Sequence, residues 1–540
     1  MQRVLVANRG EIAVRVFRTC RELDLETVAV YTADDRDVLH VRVAQQAVEV
    51  ESYLDPQALV AAALKAGADT IHPGYGFLAE SPAFAEAVVT AGLSWVGPPA
   101  EVIALGGDKL ASKAHAIEAG VPVLPSGSAH VVGAPLIVKA AAGGGGRGMR
   151  IVHDLADLDQ ALAAASREAQ AAFGDGTVFC ERYVARPRHV EVQLLSDTHG
   201  NVVALGEREC SIQRRHQKVL EETPSPGIDA ATRAAILAAA IAFARQIDYV
   251  GAGTAEFLVS GDELFFLELN ARIQVEHPIT EAVTGIDIVA EQLRIAQGLP
   301  LEPQTRTCRG HAIEARLCAE DPLTFAPQVG TIEELRFPEA LRVDAGVAEG
   351  DEIGHRFDSL IAKLIVHAPT REEALAALAD GLERTVVRGV RTNLPFLRWL
   401  VAHPAVRAGE TTTSFLEDHP PLSRRPRRAA AAWAGPFRVN LTDAPVLPPP
   451  RELETGRGAP GTDDRIVAPI AGTVIAVEVA VGEQVRKHQR LLVLEAMKLE
   501  MPIDAPQAGV VVAVNAVVGS AVAQGEVLVE LGETPDDADE

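Results

Sequence analysis

A stretch of about forty residues with no means of forming a core divides the chain into a long first part and a short last part. It starts after Leu422 with an arginine run, continues with alanines and reaches three prolines at 448–450. Such a composition buries little apolar area, so we predict a linker over residues 423–462, with at most a small ordered piece around residues 433–441. The arginines could attract a partner, but a solvated hinge is the simpler interpretation. The two flanking parts therefore need separate cores.

The last segment repeats itself at a shift of 37 positions. The matching pairs are Ala468 with Ala505, Pro469 with Pro506, Gly472 with Gly509, Val474 with Val511, Gly482 with Gly519, Val485 with Val522 and Leu491 with Leu528. Two copies of one strand-turn-strand unit predict a small all-β domain with internal two-fold character over residues 463–533. The junction at 495–499 then falls at an exposed hairpin turn, which displays Lys498 away from the core.

Strand and helix patterns alternate from the N-terminus to residue 107. Strand-like runs lie at 4–7, 27–31, 70–71 and 94–97, and their alternation with helical stretches predicts a parallel, doubly wound α/β domain over residues 1–107. Gly10, after the first run, could contact a phosphate, but a tight turn is the better interpretation. Residues 108–309 carry glycine clusters and strand pairs, and residues 310–422 continue as a mixed α+β domain.

Composition and charge exclude several classes of function. The formal net charge of −24 opposes binding to a phosphate backbone, so we expect no nucleic-acid partner. Five cysteines form no CxxC pair and no disulfide-like spacing, which favours a reducing cytosol. The longest uncharged apolar run, between Arg233 and Arg245, is far shorter than a membrane span. Because the first ten residues already have a strand-and-turn pattern, we expect a cytoplasmic protein without a signal peptide or membrane contact.

Four consecutive glycines, Gly143 to Gly146, follow the strand-like run 136–138. Glycines let backbone N–H groups approach phosphates, because no Cβ interferes. Lys139 precedes the glycines instead of following them, which excludes a P-loop and predicts a mobile flap between two strands. A merely flexible loop is the alternative, and the flanking Lys139 and Arg147 weigh against it.

Two acidic strands give a sharper chemical signal. One carries Glu256, the next carries Glu268 and Asn270, and a three-residue loop containing Gly261 joins them. A hairpin in this register places Glu256 opposite Glu268, about 4.5–5.5 Å apart at Cβ, where like charges repel. A cation or a proton must offset that repulsion. Since Asn270 faces the same side, the three side chains predict a magnesium site used with nucleotide phosphates, unless a register slip separates the acids.

Basic residues around this hairpin predict an anion site. Arg272 continues the same face, and its planar guanidinium matches a small oxyanion such as bicarbonate or a carboxylate. Glu276 is close enough in sequence to act as a general base. Residues 208–218 concentrate basic side chains in an acidic protein. A solvated basic strand is the alternative, but a phosphate-and-anion pocket explains the density better.

Seven motifs together resemble the ATP-grasp biotin carboxylase family fused to a biotin carboxyl carrier domain. The motifs are Asn8-Arg9-Gly10-Glu11-Ile12-Ala13, His72-Pro73-Gly74-Tyr75-Gly76-Phe77, Gly107-Asp108-Lys109, the tetraglycine flap, Gln213-Arg214-Arg215-His216-Gln217-Lys218, Gln274-Val275-Glu276-His277-Pro278 and Glu495-Ala496-Met497-Lys498. The resemblance covers residues 1–422 and 463–533. It implies an ATP-grasp domain over 108–309, a carboxylase C-terminal domain over 310–422 and a flattened-barrel biotinyl domain at the end.

The resemblance also implies a role for individual residues. ATP would be held by Lys109, Lys139, Gly145, Gly146, Glu181, His189, Gln213 and His216, with Met149 and the backbone of residues 181–184, ending at Val184, against the adenine. Magnesium (or manganese) would be bound by Glu256, Glu268 and Asn270. Bicarbonate would be held by Lys218, Arg272, Gln274 and Val275, with Glu276 as its base. Arg316 would face the biotin ureido oxygen, and Lys498 would carry biotin as an amide.

The implied reaction is the ATP- and bicarbonate-dependent carboxylation of that biotin through carboxyphosphate. The carboxybiotin would feed a separate carboxyltransferase subunit, because no transferase domain is recognised in the sequence. The implied acceptors, in order of plausibility, are acetyl-CoA, propionyl-CoA, methylcrotonyl-CoA, pyruvate and urea. A biotin protein ligase would attach the cofactor, and a hetero-oligomer is expected.

Departures from the family pattern leave the proposed ligands intact. Leu499 replaces the usual methionine, Glu209 replaces aspartate, and Ala271 stands where threonine or proline is also common. The linker is too short for the docking domain of longer fused subunits. Two other classes stay open: an ATP-grasp ligase joining a carboxylate to an amine with a lipoyl-type carrier, and a non-catalytic scaffold. The sequence 495–498 favours biotin over lipoyl, and the intact site residues weigh against a scaffold.

Overall fold

The computed structural model describes residues 1–141, 149–214, 217–301, 308–420, 464–497 and 499–532. Four predicted site residues, Gly145, Gly146, His216 and Lys498, lie outside these ranges, as does the predicted linker. No helix within the described ranges is long and apolar enough to cross a membrane. The architecture is α/β and α+β with a small all-β unit at the end, which confirms the predicted fold class.

The first unit is a parallel five-stranded sheet in the order β3-β2-β1-β4-β5, covered by helices. Its strands are β1 Arg3–Val6, β2 Glu26–Tyr31, β3 Gln46–Glu49, β4 Thr70–His72 and β5 Ser94–Trp95. Its helices are α1 Gly10–Glu22, α2 Leu39–Val43, α3 Pro56–Ala66, α4 Pro82–Thr90, α5 Ala100–Gly107 and α6 Lys109–Glu118, with a 3-10 turn at Ala33–Asp35. The sequence did not predict β3, because this edge strand is largely exposed and has no apolar run. The ends of helix α3 follow from its sequence. Asp55 accepts hydrogen bonds from two backbone N–H groups at the start of the helix, and Gly67, at φ +67°, ends it.

The second unit contains a small antiparallel sheet and the acidic hairpin. Its strands are β6 Ser126–Gly127, β7 Leu136–Ala140, β8 Arg150–Val152, β9 Val178–Arg182, β10 Arg188–Ser196, β11 Val202–Arg214, β12 Gln217–Thr223, β13 Gly251–Ser260 and β14 Glu263–Asn270. Its helices are α7 Ala129–Val132, α8 Leu158–Phe173, α9 Ala230–Gln246, α10 His277–Thr284 and α11 Ile288–Ala296, with a 3-10 turn at Leu155–Asp157. Strands β7 and β8 pair directly, so the predicted glycine flap connects two neighbouring strands.

The hairpin turn is shorter than predicted. Strand β13 continues to Ser260 and β14 begins at Glu263, and these two residues pair. The turn is therefore the two residues Gly261–Asp262, with Gly261 at φ +58°, and the prediction of a three-residue loop is wrong. The error came from ending the strands at the last apolar residues, since polar Ser260 and Glu263 still belong to the ladder.

One eight-stranded sheet, β14-β13-β10-β11-β12-β15-β20-β18, runs through the rest of the carboxylase part. The later strands are β15 His311–Cys318, β16 Gly330–Thr331, β17 Glu334–Arg336, β18 Arg342–Ala345, β19 Glu352–Ile353, β20 Leu360–Ala368 and β21 Val386–Arg388. The helices are α12 Arg371–Arg384, α13 Leu394–Ala402, α14 Pro404–Ala408 and α15 Phe415–Asp418. Because β12 pairs with β15, residues on either side of the predicted boundary at 309 share one sheet. The site is built along this sheet.

The last unit consists of two four-stranded sheets that repeat one another. Its strands are β22 Arg465–Val467, β23 Gly472–Val477, β24 Gln484–Val485, β25 Arg490–Ala496, β26 Leu499–Asp504, β27 Gly509–Val514, β28 Ala521–Val522 and β29 Val527–Gly532. Strands β23, β24 and β25 begin 37 positions before β27, β28 and β29, which confirms the repeat. Its matched pairs Val474 with Val511 and Leu491 with Leu528 are all buried in one core.

Candidate active site

The β13–β14 hairpin brings two buried glutamates face to face. Glu256 and Glu268 are direct cross-strand partners, so the predicted register is confirmed. Asn270 follows on β14 and donates from Nδ2 to Glu256 Oε1 at 2.9 Å. Burial and the charge of Glu256 raise the pKa of Glu268. Lys109 and Lys139 only partly offset this effect. Two carboxylates and an amide oxygen are the hard donors that fit a magnesium ion.

Lys218, on β12, connects the hairpin to the predicted base. Its Nζ lies 3.1 Å from Glu256 Oε1, 2.6 Å from Glu276 Oε1 and 3.2 Å from Gln274 Oε1, and it also contacts Glu191. Burial opposes its charge, but the surrounding carboxylates raise the pKa of Lys218 well above the usual value. A permanently charged ammonium therefore lies between Glu256 of the hairpin and Glu276, the predicted base.

Arg272 lies next to the hairpin and is held by a glutamate that the sequence did not indicate. Its Nε donates to Glu80 Oε2 at 2.9 Å, and its Nη2 donates to Asn270 Oδ1 at 2.9 Å. Glu80 also accepts the backbone N–H of Ala271 at 3.2 Å. Glu80 escaped prediction because this contact joins positions 192 residues apart.

Glu276 is buried just before α10 and contacts two cations. Besides Lys218, it accepts from Arg316 Nη2 at 3.0 Å. Burial alone would raise the pKa of Glu276, but Lys218, Arg316 and Arg208 lower it far below the usual value. Arg316 also donates from Nε to Glu221 Oε1 at 2.6 Å, and Glu221 was not predicted. The predicted base is thus ionised and beside the predicted biotin-facing arginine.

Lysines and one buried glutamate line the end of the cavity toward the small sheet. Lys139 Nζ lies 2.6 Å from Glu181 Oε2, and Lys113 contacts the other oxygen of Glu181. Lys109 begins α6, and Lys113 follows four residues later on the same helical face. Lys113 was not predicted, although this i,i+4 spacing could have indicated it. Three lysines in one place suit the phosphates of a nucleotide.

His189 on β10 joins this end to the hairpin. Its Nε2 lies 2.8 Å from Glu256 Oε2, and its Nδ1 lies 2.8 Å from Gln213 Nε2. Glu191 follows two residues later and pairs with Arg208 and Lys218. Arg208 is completely buried, so the alternative of a solvated basic strand is wrong for this residue. The two-residue spacing from His189 could have indicated Glu191.

A single cavity of about 1730 Å³ connects these groups. Every predicted site residue within the described ranges lines it: Lys109, Lys139, Met149, Glu181, Val184, His189, Gln213, Lys218, Glu256, Glu268, Asn270, Arg272, Gln274, Val275, Glu276 and Arg316. The predicted nucleotide, metal and anion groups therefore share one space.

The tip of the last unit contributes Met497 to the lining of this cavity. Strands β25 and β26 form the predicted hairpin, with Ala496 paired to Leu499. Met497 donates its backbone N–H to the carbonyl of His355 at 3.2 Å, and its side chain is 4% exposed. The prediction of an exposed turn is therefore wrong for Met497, because its side chain packs against the carboxylase part.

Four family models match the chain in series. They are described as the biotin carboxylase N-terminal domain at residues 1–103, the carbamoyl-phosphate synthase L chain ATP-binding domain at 110–304, the biotin carboxylase C-terminal domain at 314–418 and a biotin-requiring enzyme domain at 464–531.

Curated relatives match either the first part or the whole chain. A biotin carboxylase of Halalkalibacterium halodurans is 46% identical over 77% of this chain and 98% of its own length. The alpha3 subunit of a biotin-dependent acyl-coenzyme A carboxylase of Mycobacterium leprae is 41% identical over 98% of both chains.

Solved structures match the first part. The biotin carboxylase domain of Hydrogenobacter thermophilus 2-oxoglutarate carboxylase, a dimer in complex with ADP, its magnesium salt and bicarbonate, is 42% identical with a TM-score of 0.76 over 78% of this chain and 98% of that chain. A biotin carboxylase of Campylobacter jejuni is 40% identical with a TM-score of 0.76, over 77% of this chain and 99% of that one.

Proposed function

Since the chain belongs to the family of biotin-dependent carboxylases that fuse a biotin carboxylase to a biotinyl domain, we propose that it carboxylates the biotin on its own Lys498 by means of the residues described above. The single observation that carries this proposal is the contact network around Lys218, which joins Glu256 to Glu276 and, through Glu276, to Arg316. It connects the proposed nucleotide, bicarbonate and biotin positions within hydrogen-bond distances.

ATP lies along the cavity between the lysines and the acidic hairpin in this proposal. Lys109, Lys139 and Glu181 hold the nucleotide with Gly145, Gly146, His189, Gln213 and His216, and Met149 and Val184 lie beside the adenine. Magnesium, held by Glu256, Glu268 and Asn270, neutralises phosphate charge when it is bound, and manganese can replace it. The donor set and the raised pKa of Glu268 support this assignment.

Bicarbonate lies between Arg272, Lys218, Gln274 and the backbone of Val275. Glu276 removes its proton, and the resulting dianion attacks the γ-phosphate to give carboxyphosphate and ADP. The ionised state of Glu276 suits it for accepting a proton, although its lowered pKa makes it a weak base. A bound bicarbonate ion draws the Lys218 ammonium toward itself and away from Glu276, which raises the pKa of Glu276. Glu276 therefore becomes a stronger base only when the substrate is bound.

Biotin then enters from the mouth of the cavity. Carboxyphosphate yields CO2 and phosphate, the phosphate takes the ureido N–H proton, and the ureido nitrogen bonds to CO2. Arg316 stabilises the charge that develops on the ureido oxygen. Lys498 follows Met497 directly, and Met497 lines the same cavity as Arg316, which supports delivery of biotin from this hairpin.

The acceptor is an acyl-CoA, with acetyl-CoA and propionyl-CoA first, and a separate carboxyltransferase subunit completes the reaction in a hetero-oligomer. The acyl-CoA name of the full-length relative supports this choice. Other relatives are named for methylcrotonoyl-CoA and pyruvate, so a panel of these acceptors with the co-purified partner tests it. We further propose a cytoplasmic location, where a biotin protein ligase modifies Lys498.

The alternatives from the sequence have less support. A lipoyl-carrying ligase conflicts with the two biotin carboxylase models at residues 1–103 and 314–418 and with the biotin-requiring enzyme model at 464–531. A non-catalytic scaffold conflicts with the cavity, where all described site residues retain their chemistry.

The proposed site is tested by Glu276→Gln and Arg272→Ala. Each variant is expected to lower bicarbonate-dependent ATP hydrolysis by about a hundredfold or more, since the base or the anion clamp is lost. Glu263→Gln, an exposed change on the same hairpin, serves as the control, and melting curves report whether each variant is folded. Full activity in both site variants would contradict the assignment.

A further inference from the structure

Two buried glutamates behind Arg316 have no role in the proposed chemistry. Glu221 on β12 and Glu314 on β15 are direct cross-strand partners, and both are completely buried. Opposed side chains in such a ladder have Cβ atoms about 4.5–5.5 Å apart. Two ionised carboxylates at this distance, away from water, would repel strongly.

The hydrogen bonds of these carboxyls are incomplete within the described residues. Oε1 of Glu221 accepts from Arg316 Nε at 2.6 Å, whereas its Oε2 has no partner there. Neither oxygen of Glu314 has a partner in the same ranges. Three buried acceptor atoms therefore lack donors, which is costly unless a proton supplies one.

Lys363, the cation that most strongly opposes the rise in the pKa of Glu314, is already engaged. Lys363 on β20 lies 2.9 Å from Glu11 Oε2 and donates to the carbonyl of Val275 at 3.1 Å. Burial and the charge of Glu221, against the opposing effect of Lys363, raise the pKa of Glu314 well above the usual value. A neutral Glu314 carboxyl can donate its O–H to the unpartnered oxygen of Glu221 after a rotation of the side chain.

An irregularity in β12 directs this pair toward the site. Gln213 pairs with Lys218 but Ile212 pairs with Leu220, so one extra residue interrupts the alternation. Lys218 and Glu221, three positions apart, therefore face the same side. Glu314 and Arg316, two apart on β15, also share one face.

We propose, as an extension of the function proposed above, that Glu221 and Glu314 form a carboxyl pair sharing one proton, and that this pair is a positioning element for Arg316. Protonated Glu314 holds Glu221 in place, and ionised Glu221 fixes the Arg316 guanidinium toward the biotin oxygen. Neither residue lines the cavity in which the proposed ATP and bicarbonate positions lie. The pair thus acts on biotin and leaves phosphoryl transfer unaffected.

The test compares two reactions of the full-length protein, carboxylation of free biotin and bicarbonate-dependent ATP hydrolysis without biotin. Glu221→Gln is expected to raise KM for free biotin by about tenfold or more, because a charge-assisted bond to Arg316 is lost, and to leave the KM of bicarbonate in ATP hydrolysis within about twofold. Glu314→Leu removes the donor and is expected to raise KM for biotin by about threefold or more. Glu314→Gln, a neutral isostere of the protonated acid, is expected to restore KM to within about twofold of wild type. Glu334→Gln is the control for the exchange itself, because Glu334 also pairs with arginines, Arg336 and Arg388, but does not line the cavity.

A spectroscopic measurement tests the shared proton even where Glu221→Gln or Glu314→Leu does not fold. The infrared difference spectrum between the wild type and Glu314→Gln at neutral pH is expected to contain the carbonyl band of a protonated carboxyl. A wild type without that band, or a Glu314→Gln variant as impaired as Glu314→Leu, would overturn the shared proton. An equal loss of both reactions in Glu221→Gln would overturn the selective role. A wild type that hydrolyses no ATP with bicarbonate would instead contradict the proposed function.

Discussion

Lys218 determines the charge state of the residues around it. Its ammonium contacts Glu191, Glu256 and Glu276, so three buried carboxylates share one cation. Glu276 consequently stays ionised in spite of its burial. An ammonium shared in this way can move toward an entering anion at little cost, because each carboxylate keeps another partner: Arg208 for Glu191, His189 for Glu256 and Arg316 for Glu276.

Raising the pH through neutrality should improve the binding of free biotin. Burial raises the pKa of Glu221 to about 7, against the opposing effect of Arg316. Below this pH Glu221 is protonated and offers Arg316 no negative charge, whereas above it the carboxylate is ionised and fixes Arg316. KM for free biotin is therefore expected to fall as the pH rises through about 7, and Glu221→Gln is expected to abolish the dependence.

Steady-state KM values about one pH unit either side of neutrality check this prediction. The titratable groups that face Glu221 are Cys210 on β11, Glu314 and Arg316 on β15, Glu276 before α10 and Lys218 on the same strand. A pH dependence that persists unchanged in Glu221→Gln would belong to one of these groups and would contradict the assignment.

At the scale of elements, strand alternation explains what the sequence could and could not predict. The pairing of Glu256 with Glu268 was predicted from the sequence, but its structural cause was not: a register shift between Glu256 and Phe257 produces it, since regular pairing from the turn would place Leu267 opposite Glu256. Glu221 was not predictable, because the irregularity at Ile212–Gln213 reverses the alternation of β12 relative to Lys218. Glu80 and the position of Met497 depend on contacts between distant segments, for which the local sequence carries no signal.

The hairpin is expected to be more stable without metal when one of its acids is neutralised. Glu268→Gln removes a like-charge pair worth about 0.2–1 kcal/mol across the strands. We expect this variant to melt at a higher temperature than wild type in chelator, and to lose at least about 90% of its magnesium-dependent ATP hydrolysis. Asp262→Asn, an exposed change at the turn of the same hairpin, should change neither quantity. A lower melting temperature for Glu268→Gln than for wild type in chelator would show that Glu256 and Glu268 do not repel each other in the metal-free protein.

The β25–β26 tip is expected to control carboxylation of the carrier alone. Met497→Ala removes a side chain packed against the carboxylase part, and we expect its own biotin to be carboxylated at least about threefold more slowly. Turnover of free biotin should be unchanged, because Met497 is not among the proposed reacting groups. Val481→Ala, an exposed change on the same unit, is the control. Mass spectrometry must first show that wild type and both variants are biotinylated to the same extent. If Met497→Ala then carboxylates its own biotin as fast as wild type does, the proposed role of the Met497 contact is wrong.

At the scale of the whole molecule, the carboxylase part, with several core clusters, and the last unit, with one of its own, both contribute residues to one cavity. The break in composition after residue 422 and the 37-residue repeat were enough to predict two parts, because each has its own pattern of buried side chains. The continuous eight-stranded sheet was not predictable, since the pairing of β12 with β15 joins segments about ninety residues apart. The domain limits at 107, 309 and 422 stay proposals, and limited proteolysis of the full chain would test them.

Transfer of radiolabelled bicarbonate to the protein is the most direct test of the account. With ATP and magnesium, the biotinylated wild type is expected to retain acid-labile label on Lys498, and Lys498→Arg is expected to retain none while still carboxylating free biotin. Glu276→Gln should label neither the protein nor free biotin. A biotinylated wild type that acquires no label, or a Lys498→Arg variant that acquires as much label as wild type, would contradict the proposal that this chain carboxylates its own carrier.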